Sequence, residues 1–247
     1  MQVLISPISS EEAVAVADGG ADIVDIKNIK EGSLGANFPW IIRSILQLLA
    51  DHALTFSATL GDLPFKPGTA ALAALGAAAC GVQYVKAGLY GVRDFHEALL
   101  VMQAVTRACR EFNPDLIVVA AGYADYRRFG GIDTQTVVRV GHEAGVDLVM
   151  VDTAIKDGAS LFDSLSMSEL EDFVGEARRR ELGVALAGSL GFDHLDALAR
   201  LGPDVVGVRG CVCSGYDRSS RIRAELVRDF VAAVRTSHPA PAWRRPI

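Results

Sequence analysis

Lysine is scarce among the charged residues of this chain. Of its 24 basic residues, only Lys27, Lys30, Lys66, Lys86 and Lys156 are lysines, and the rest are arginines. A guanidinium stays charged near neutral pH, so a chain that solvates itself with arginine keeps lysine for positions where an amine must lose its proton and attack a carbonyl. Other absences exclude whole classes. Cys80, Cys109, Cys211 and Cys213 show no paired C-x-x-C spacing, which argues against a disulfide scaffold and for buried thiols in a reducing compartment. His52, His96, His142, His194 and His238 form no H-x-x-x-H or H-E-x-x-H pattern, so no metal site is expected. No G-x-G-x-x-G follows the first strand-like run, and no nicotinamide cofactor is expected either. No stretch approaches the ~20 apolar residues of a membrane span. Met1 leads straight into a short strand-like run without a basic, apolar leader, and the expected location is cytoplasmic. The net charge of -6 gives no general attraction to nucleic acid.

What is present is regular. With 247 residues, 50% of them hydrophobic, and 24 glycines, the chain is long enough for a large buried core. Short apolar runs recur at 3–5, 23–26, 54–58, 82–85, 116–120, 148–151, 184–186 and 205–208, the signature of parallel strands buried on both faces. Helical patterns fill the gaps at 11–18, 40–50, 68–80, 94–111, 134–144, 168–181, 193–201 and 219–234. Helix starts are marked by Ser9 and Ser10 ahead of Glu11 and Glu12, by Asp133 or Thr134, and by Ser166 three residues before Glu169, and glycine commonly closes a helix before the next strand. Eight alternating units in about 250 residues predict an α/β fold, a single (β/α)8 barrel over 1–236, followed by a Pro-rich tail at 237–247. An open doubly wound sheet is the runner-up, because periodicity does not reveal closure.

In such a barrel the loops after the strands form the active face. All five lysines are expected at or just beyond strand ends. Asp25 and Lys27 lie two apart on the second strand and share a face, with Asp25 a layer below if that face is inward. Lys86 is expected to close the fourth strand and Asp152 the sixth, so that Lys27, Lys86 and Asp152 meet at the barrel mouth, with Lys156 leaning over them. Crowded ammoniums lose protons more easily, which makes one lysine a nucleophile while its neighbours stay charged. The glycine-bearing turns 187–191 and 209–213 follow the seventh and eighth strands, where barrels often hold phosphate on backbone N–H groups. Gly188, Ser189, Arg209, Gly210 and Cys211 are therefore the expected anion site. Ser33, in the segment 30–37, is the candidate for a second anion cradle or a lid. The sequence leaves oligomeric state open, a homo-oligomer included.

The strings DIKN at 25–28, KEGSLGANFPW at 30–40, YVKAG at 84–88 and VDTAIKDG at 151–158 resemble the (5-formylfuran-3-yl)methyl phosphate synthase family of methanofuran biosynthesis. The resemblance runs over nearly the whole chain apart from the tail. It implies a (β/α)8 barrel that condenses two molecules of glyceraldehyde 3-phosphate into a phosphorylated furan aldehyde, losing phosphate and water, through a lysine Schiff base and without a metal or organic cofactor. It also places the family's essential set on Lys27, Lys86, Asp152 and Lys156, with either Lys27 or Lys156 bearing the covalent intermediate. Competing readings of the same residues are a class I aldolase or isomerase acting on another sugar phosphate, and a non-catalytic barrel that binds a sugar phosphate.

Overall fold

A computed structural model describes residues 1–237 of the chain, so the expected tail lies outside the described residues from His238 onward. Eight parallel strands close into one barrel in chain order. They are β1 (Gln2–Ile5), β2 (Ile23–Ile26), β3 (Thr55–Pro64), β4 (Tyr84–Gly91), β5 (Ile117–Tyr123), β6 (Leu148–Asp152), β7 (Gly183–Leu186) and β8 (Val205–Val208). Closure is made by β1 against β8, with Gln2 opposite Val205 and Ile5 opposite Val208. The open-sheet alternative is thereby excluded.

Helices cover the outside: α1 (Ser10–Asp18), α2 (Pro39–Leu48), α3 (Pro67–Ala78), α4 (Phe95–Phe112), α5 (Thr134–Glu143), the single turn α6 (Leu161–Ser164), α7 (Met167–Arg179), α8 (Leu195–Leu201) and α9 (Ala224–Ser237). Their starts are those the side chains dictate. Ser9 accepts the Glu12 N–H, Asp133 accepts that of Thr136, and Ser166 with Glu169 forms a reciprocal capping box.

Two hydrophobic clusters divide the strand residues by parity. Val24, Ile26, Val85, Ala87, Val149 and Val151 face the helices, whereas Ile23, Val119, Leu148, Met150, Ala185 and Val205 fill the barrel. Alternation then forces Asp25 on β2, Lys27 just past its end, Lys86 on β4 and Asp152 on β6 to point inward.

Two strands run well beyond their expected ends. β3 continues to Pro64 and β4 to Gly91, paired through register shifts at Asp62. The apolar runs stop at Ala58 and Val85, but a bulge lets the ladder continue through Gly61-Asp62 and Ala87-Gly88. One consequence is a correction: Lys86 does not close its strand. It is the third residue of β4.

The barrel also depends on close approach of helix to strand. A Cβ on Gly141 of α5 would lie 2.6 Å from Val149 Cγ1 and 3.1 Å from Val146 Cγ2. Alanine normally gains up to about 1 kcal/mol over glycine inside a helix, but overpacking costs about 1–3 kcal/mol. Gly141→Ala is therefore expected to lower unfolding stability by about 1 kcal/mol in urea titration. A gain in stability would show that α5 can lift from β6 at no cost.

Candidate active site

At the C-terminal ends of the strands the interior side chains turn small: Ala187 and Gly207 share the wall with Met150. The space left is a cavity of about 760 Å³. Asp25, Lys27, Asp152 and Lys156 line it, together with the turns after β7 and β8.

The charges are paired in a specific way. Lys86 Nζ donates to Asp25 Oδ2 at 2.9 Å, both side chains almost wholly buried. Asp25 Oδ2 also accepts the Ser6 hydroxyl at 2.9 Å. Lys156 Nζ donates to Asp152 Oδ1 at 2.7 Å and to Thr153 Oγ1 at 3.0 Å, while the Thr153 N–H donates to Asp152 Oδ1 at 2.7 Å. Each carboxylate thus has its own lysine. Lys27, buried to 7% exposure, makes no hydrogen bond through Nζ among the described residues.

The consequence for Lys27 is electrostatic. Burial pushes its ammonium down, and the charges of Lys86 and Lys156 add to that, so that it titrates at about 8 in spite of Asp152 and Asp25. Burial alone would raise Asp152, yet the ammoniums of Lys156 and Lys27 outweigh it and hold the carboxyl at about 2. Asp25 is likewise held below the usual carboxylate range, Lys86 and Lys27 overcoming its burial. Three amines share two carboxylates, so losing the Lys27 proton leaves two balanced pairs.

Asp25 and Lys27 occupy the expected layers. Lys86 does not sit at the rim as expected: it is turned to Asp25 and does not line the cavity. Lys30 and Lys66 are exposed and stand apart from the site.

The expected anion residues divide. Gly188, Ser189, Gly210 and Cys211 line the cavity. Gly188 has φ +109, and a Cβ there would meet Thr153 Cγ2 at 2.9 Å, which makes glycine obligatory. Ser189 follows with φ 49, and the N–H groups of Gly188, Ser189 and Leu190 donate to no protein acceptor among the described residues. Cys211 is no thiolate, since burial pushes its thiol up to about 12. Ser33 is buried and donates to the Thr153 carbonyl at 2.8 Å, tying the loop after β2 to the loop after β6 without reaching the cavity.

Arg209 borders the cavity as well, but its donors are spent elsewhere. Its Nη1 and Nη2 grip Glu12 Oε2 and Oε1 at 2.7 and 3.1 Å, and its remaining N–H groups donate to the carbonyls of Ser6, Arg218 and Ser220. All its donors are taken within the protein.

Sequence reasoning missed several groups. Asp125 accepts the N–H groups of Ala154 and Ile155 at 2.7 and 2.8 Å and so shapes the loop carrying Lys156. Asp62, on the extension of β3, accepts the Tyr123 hydroxyl and the Leu34 N–H, which pins the loop after β2. Burial raises Asp62 despite those bonds. Arg218 lines the cavity and was not singled out at all. Among the described residues no group of three or more His, Cys, Asp or Glu is placed to hold a metal ion, and no helix is long and apolar enough to cross a membrane.

A closed (β/α)8 barrel with an amine cluster and a cavity at the C-terminal ends of its strands is the architecture of a barrel enzyme. Solved structures share the fold: KGPDC from Streptococcus mutans, with TM-score 0.65 and 14% identity over 95% of this chain and 97% of that one, and 3-hexulose-6-phosphate synthase, with TM-score 0.65 and 16% identity over 96% and 100%. A model of the 4-HFC-P synthase family matches residues 3–231, and the chain belongs to that family. It is 52% identical over 234 residues to the (5-formylfuran-3-yl)methyl phosphate synthase of Archaeoglobus fulgidus, covering 95% of this chain and 99% of the relative. Against that of Methanothermobacter thermautotrophicus it is 53% identical over 231 residues, covering 93% and 97%. The resemblance drawn from the motifs is borne out, and the chain is a synthase of methanofuran biosynthesis by family.

The buried Glu12–Arg209 pair, 6% exposed on each side, joins α1 to the loop after β8. Removing one partner of such a pair strands the other charge and costs about 3–5 kcal/mol. Glu12→Ala should show that loss in chemical unfolding; a loss under about 1 kcal/mol would mean the pair holds nothing.

Proposed function

We propose that this chain condenses two molecules of glyceraldehyde 3-phosphate into (5-formylfuran-3-yl)methyl phosphate through an imine on Lys27, acting as a carbon–oxygen lyase. The observation that carries this reading is the lysine left over: Lys86 and Lys156 are each tied to a carboxylate, whereas Lys27 faces the cavity, has no partner among the described residues and is uncharged above about pH 8.

The neutral amine attacks the aldehyde carbon of one triose, and the carbinolamine expels water to give an iminium. That cation acidifies the adjacent C–H bond, whose proton leaves to a base, and the enaminol so formed expels the C3 phosphate. The freed enol carbon C3 attacks the C2 carbonyl of the second triose phosphate after its isomerisation to the ketose. Asp152 and Lys156 line the same cavity and form a pair able to exchange that proton and to protonate departing hydroxyls. The primary hydroxyl of the second triose closes the ring on the C2 carbonyl of the first, two dehydrations make the ring aromatic, and a water hydrolyses the iminium to free the aldehyde and the Lys27 amine. Balance requires one inorganic phosphate and two waters to leave for each furan formed. Asp25 lies beneath Lys27 as an anion that steadies the iminium, and Lys86 keeps Asp25 ionised without reaching the substrate. The free N–H groups of Gly188, Ser189 and Leu190 suit a phosphate oxygen.

A class I aldolase would use the same lysine but stop before ring formation, and a binding barrel would form no covalent adduct. Wild-type protein with glyceraldehyde 3-phosphate should therefore yield an ultraviolet-absorbing furan. Borohydride should trap an adduct that mass mapping places on the peptide carrying Lys27. Lys27→Arg keeps the charge but cannot form the imine, and it should lose both product and adduct while unfolding at the wild-type midpoint. Substantial turnover by that variant, or an adduct on Lys156 in the parent, would remove Lys27 from the nucleophile's role.

A further inference from the structure

The residue expected to read phosphate, Arg209, has no donor to spare. A different arginine does. Cys213 and Ile222 form an antiparallel bridge, supported by the Ser214 N–H on Arg221 O at 2.9 Å and the Arg223 N–H on Val212 O at 3.0 Å, so the segment between them is a closed loop over the barrel mouth. Arg209 holds that loop from beneath, donating to the Arg218 carbonyl at 2.9 Å and the Ser220 carbonyl at 3.3 Å, while Glu12 fixes Arg209 in turn. Gly215 and Tyr216 turn the loop with φ 65 and 57. Arg218 emerges from it into the cavity wall, and its Cβ lies 3.7 Å from where a Cβ on Gly210 would be.

The Arg218 guanidinium is half-buried and makes no hydrogen bond or ion pair among the described residues. Burial pushes it below its ordinary value, with the field of Asp152 opposing; a guanidinium remains a cation all the same. Asp152 is taken by Lys156 and Glu12 by Arg209. Of the nearby carboxylates, Asp217 is engaged by the N–H and hydroxyl of Ser219 at 2.9 and 2.7 Å, and Asp193 stands exposed on the cavity edge. Once Lys27 is neutral, Arg218 is the cation in the lining without a counter-charge.

We infer that Arg218 is the anion-binding side chain of this site, closing over a phosphomonoester held on its other side by the N–H groups of Gly188, Ser189 and Leu190, with Arg209 and Glu12 as the post that positions it. A planar fork with two free edges matches phosphate oxygens two at a time, and the partly desolvated cavity strengthens the contact. The inference deepens the proposed reaction and rests on it for the identity of the phosphate ester. The anion site itself can be tested without turnover.

The experiment is equilibrium binding of inorganic phosphate by calorimetry to wild-type, Arg218→Ala and Arg218→Lys proteins, with glyceraldehyde 3-phosphate kinetics alongside. Wild-type should bind phosphate. Arg218→Ala should weaken that binding about tenfold or more and raise KM for the phosphorylated triose by a similar factor, with a much smaller change in kcat. Arg218→Lys should recover part of the affinity. Borohydride trapping of unphosphorylated glyceraldehyde should proceed at the wild-type rate in both variants, which excludes a collapsed site. Phosphate affinity in both variants within about twofold of wild-type, or no phosphate binding by wild-type protein, would overturn the inference. Failure of the proposed reaction would look different: no furan and no trapped adduct in wild-type, with phosphate binding still sensitive to Arg218.

Discussion

Everything at this site follows from a charge count inside a wall of hydrocarbon. Three lysines and two aspartates gather at the mouth of the barrel and just beneath it, and burial makes an unbalanced charge costly. Geometry decides which lysine goes without. Lys86, low on β4, reaches Asp25, and Lys156, from the loop above, reaches Asp152. Lys27 is flanked by two anions already engaged, and its ammonium is the one whose titration falls, to about 8. Its weakened hold on a proton comes from burial, with the ammoniums of Lys86 and Lys156 adding to it, rather than from a hydrogen bond of its own.

The same economy governs the arginines. Arg209 and Arg218 stand nine residues apart on one loop, yet Glu12 neutralises the first and nothing among the described residues neutralises the second. The inner arginine becomes a strut and the outer one a free cation. The loop that bears Arg218 is thus held by a buried ion pair reaching back to the first helix, so the first and last βα units build this side of the cavity together.

Much of this was legible in the sequence because it depends on short-range rules. The period of two places Asp25 and Lys27 on one face, the run 148–151 puts Asp152 at a strand end, and eight alternating units announce the barrel. What was not legible depends on partners remote in the chain. Glu12 and Arg209 are 197 positions apart, so no local pattern distinguishes Arg209 from Arg218. Lys86 reads as a strand end because the apolar run stops at Val85, whereas the ladder with β3 carries β4 on to Gly91. Asp62 lies beyond the apolar run 54–58, on an extension of β3 that the run does not announce. Ser33 sits in the most distinctive string of the chain, and its hydroxyl serves the loop after β6 rather than the cavity.

The scarcity of lysine allows the central claim to be measured directly. Labelling the protein with lysine bearing 15N at Nζ gives at most five side-chain signals, and their pH titration reports each amine separately. The account requires the signal that disappears in Lys27→Arg to titrate near 8, well below the ~10.4 of an ordinary lysine. If that signal instead titrated above about 10, Lys27 would be an ordinary ammonium at neutral pH and the charge-pairing account of the site would be wrong.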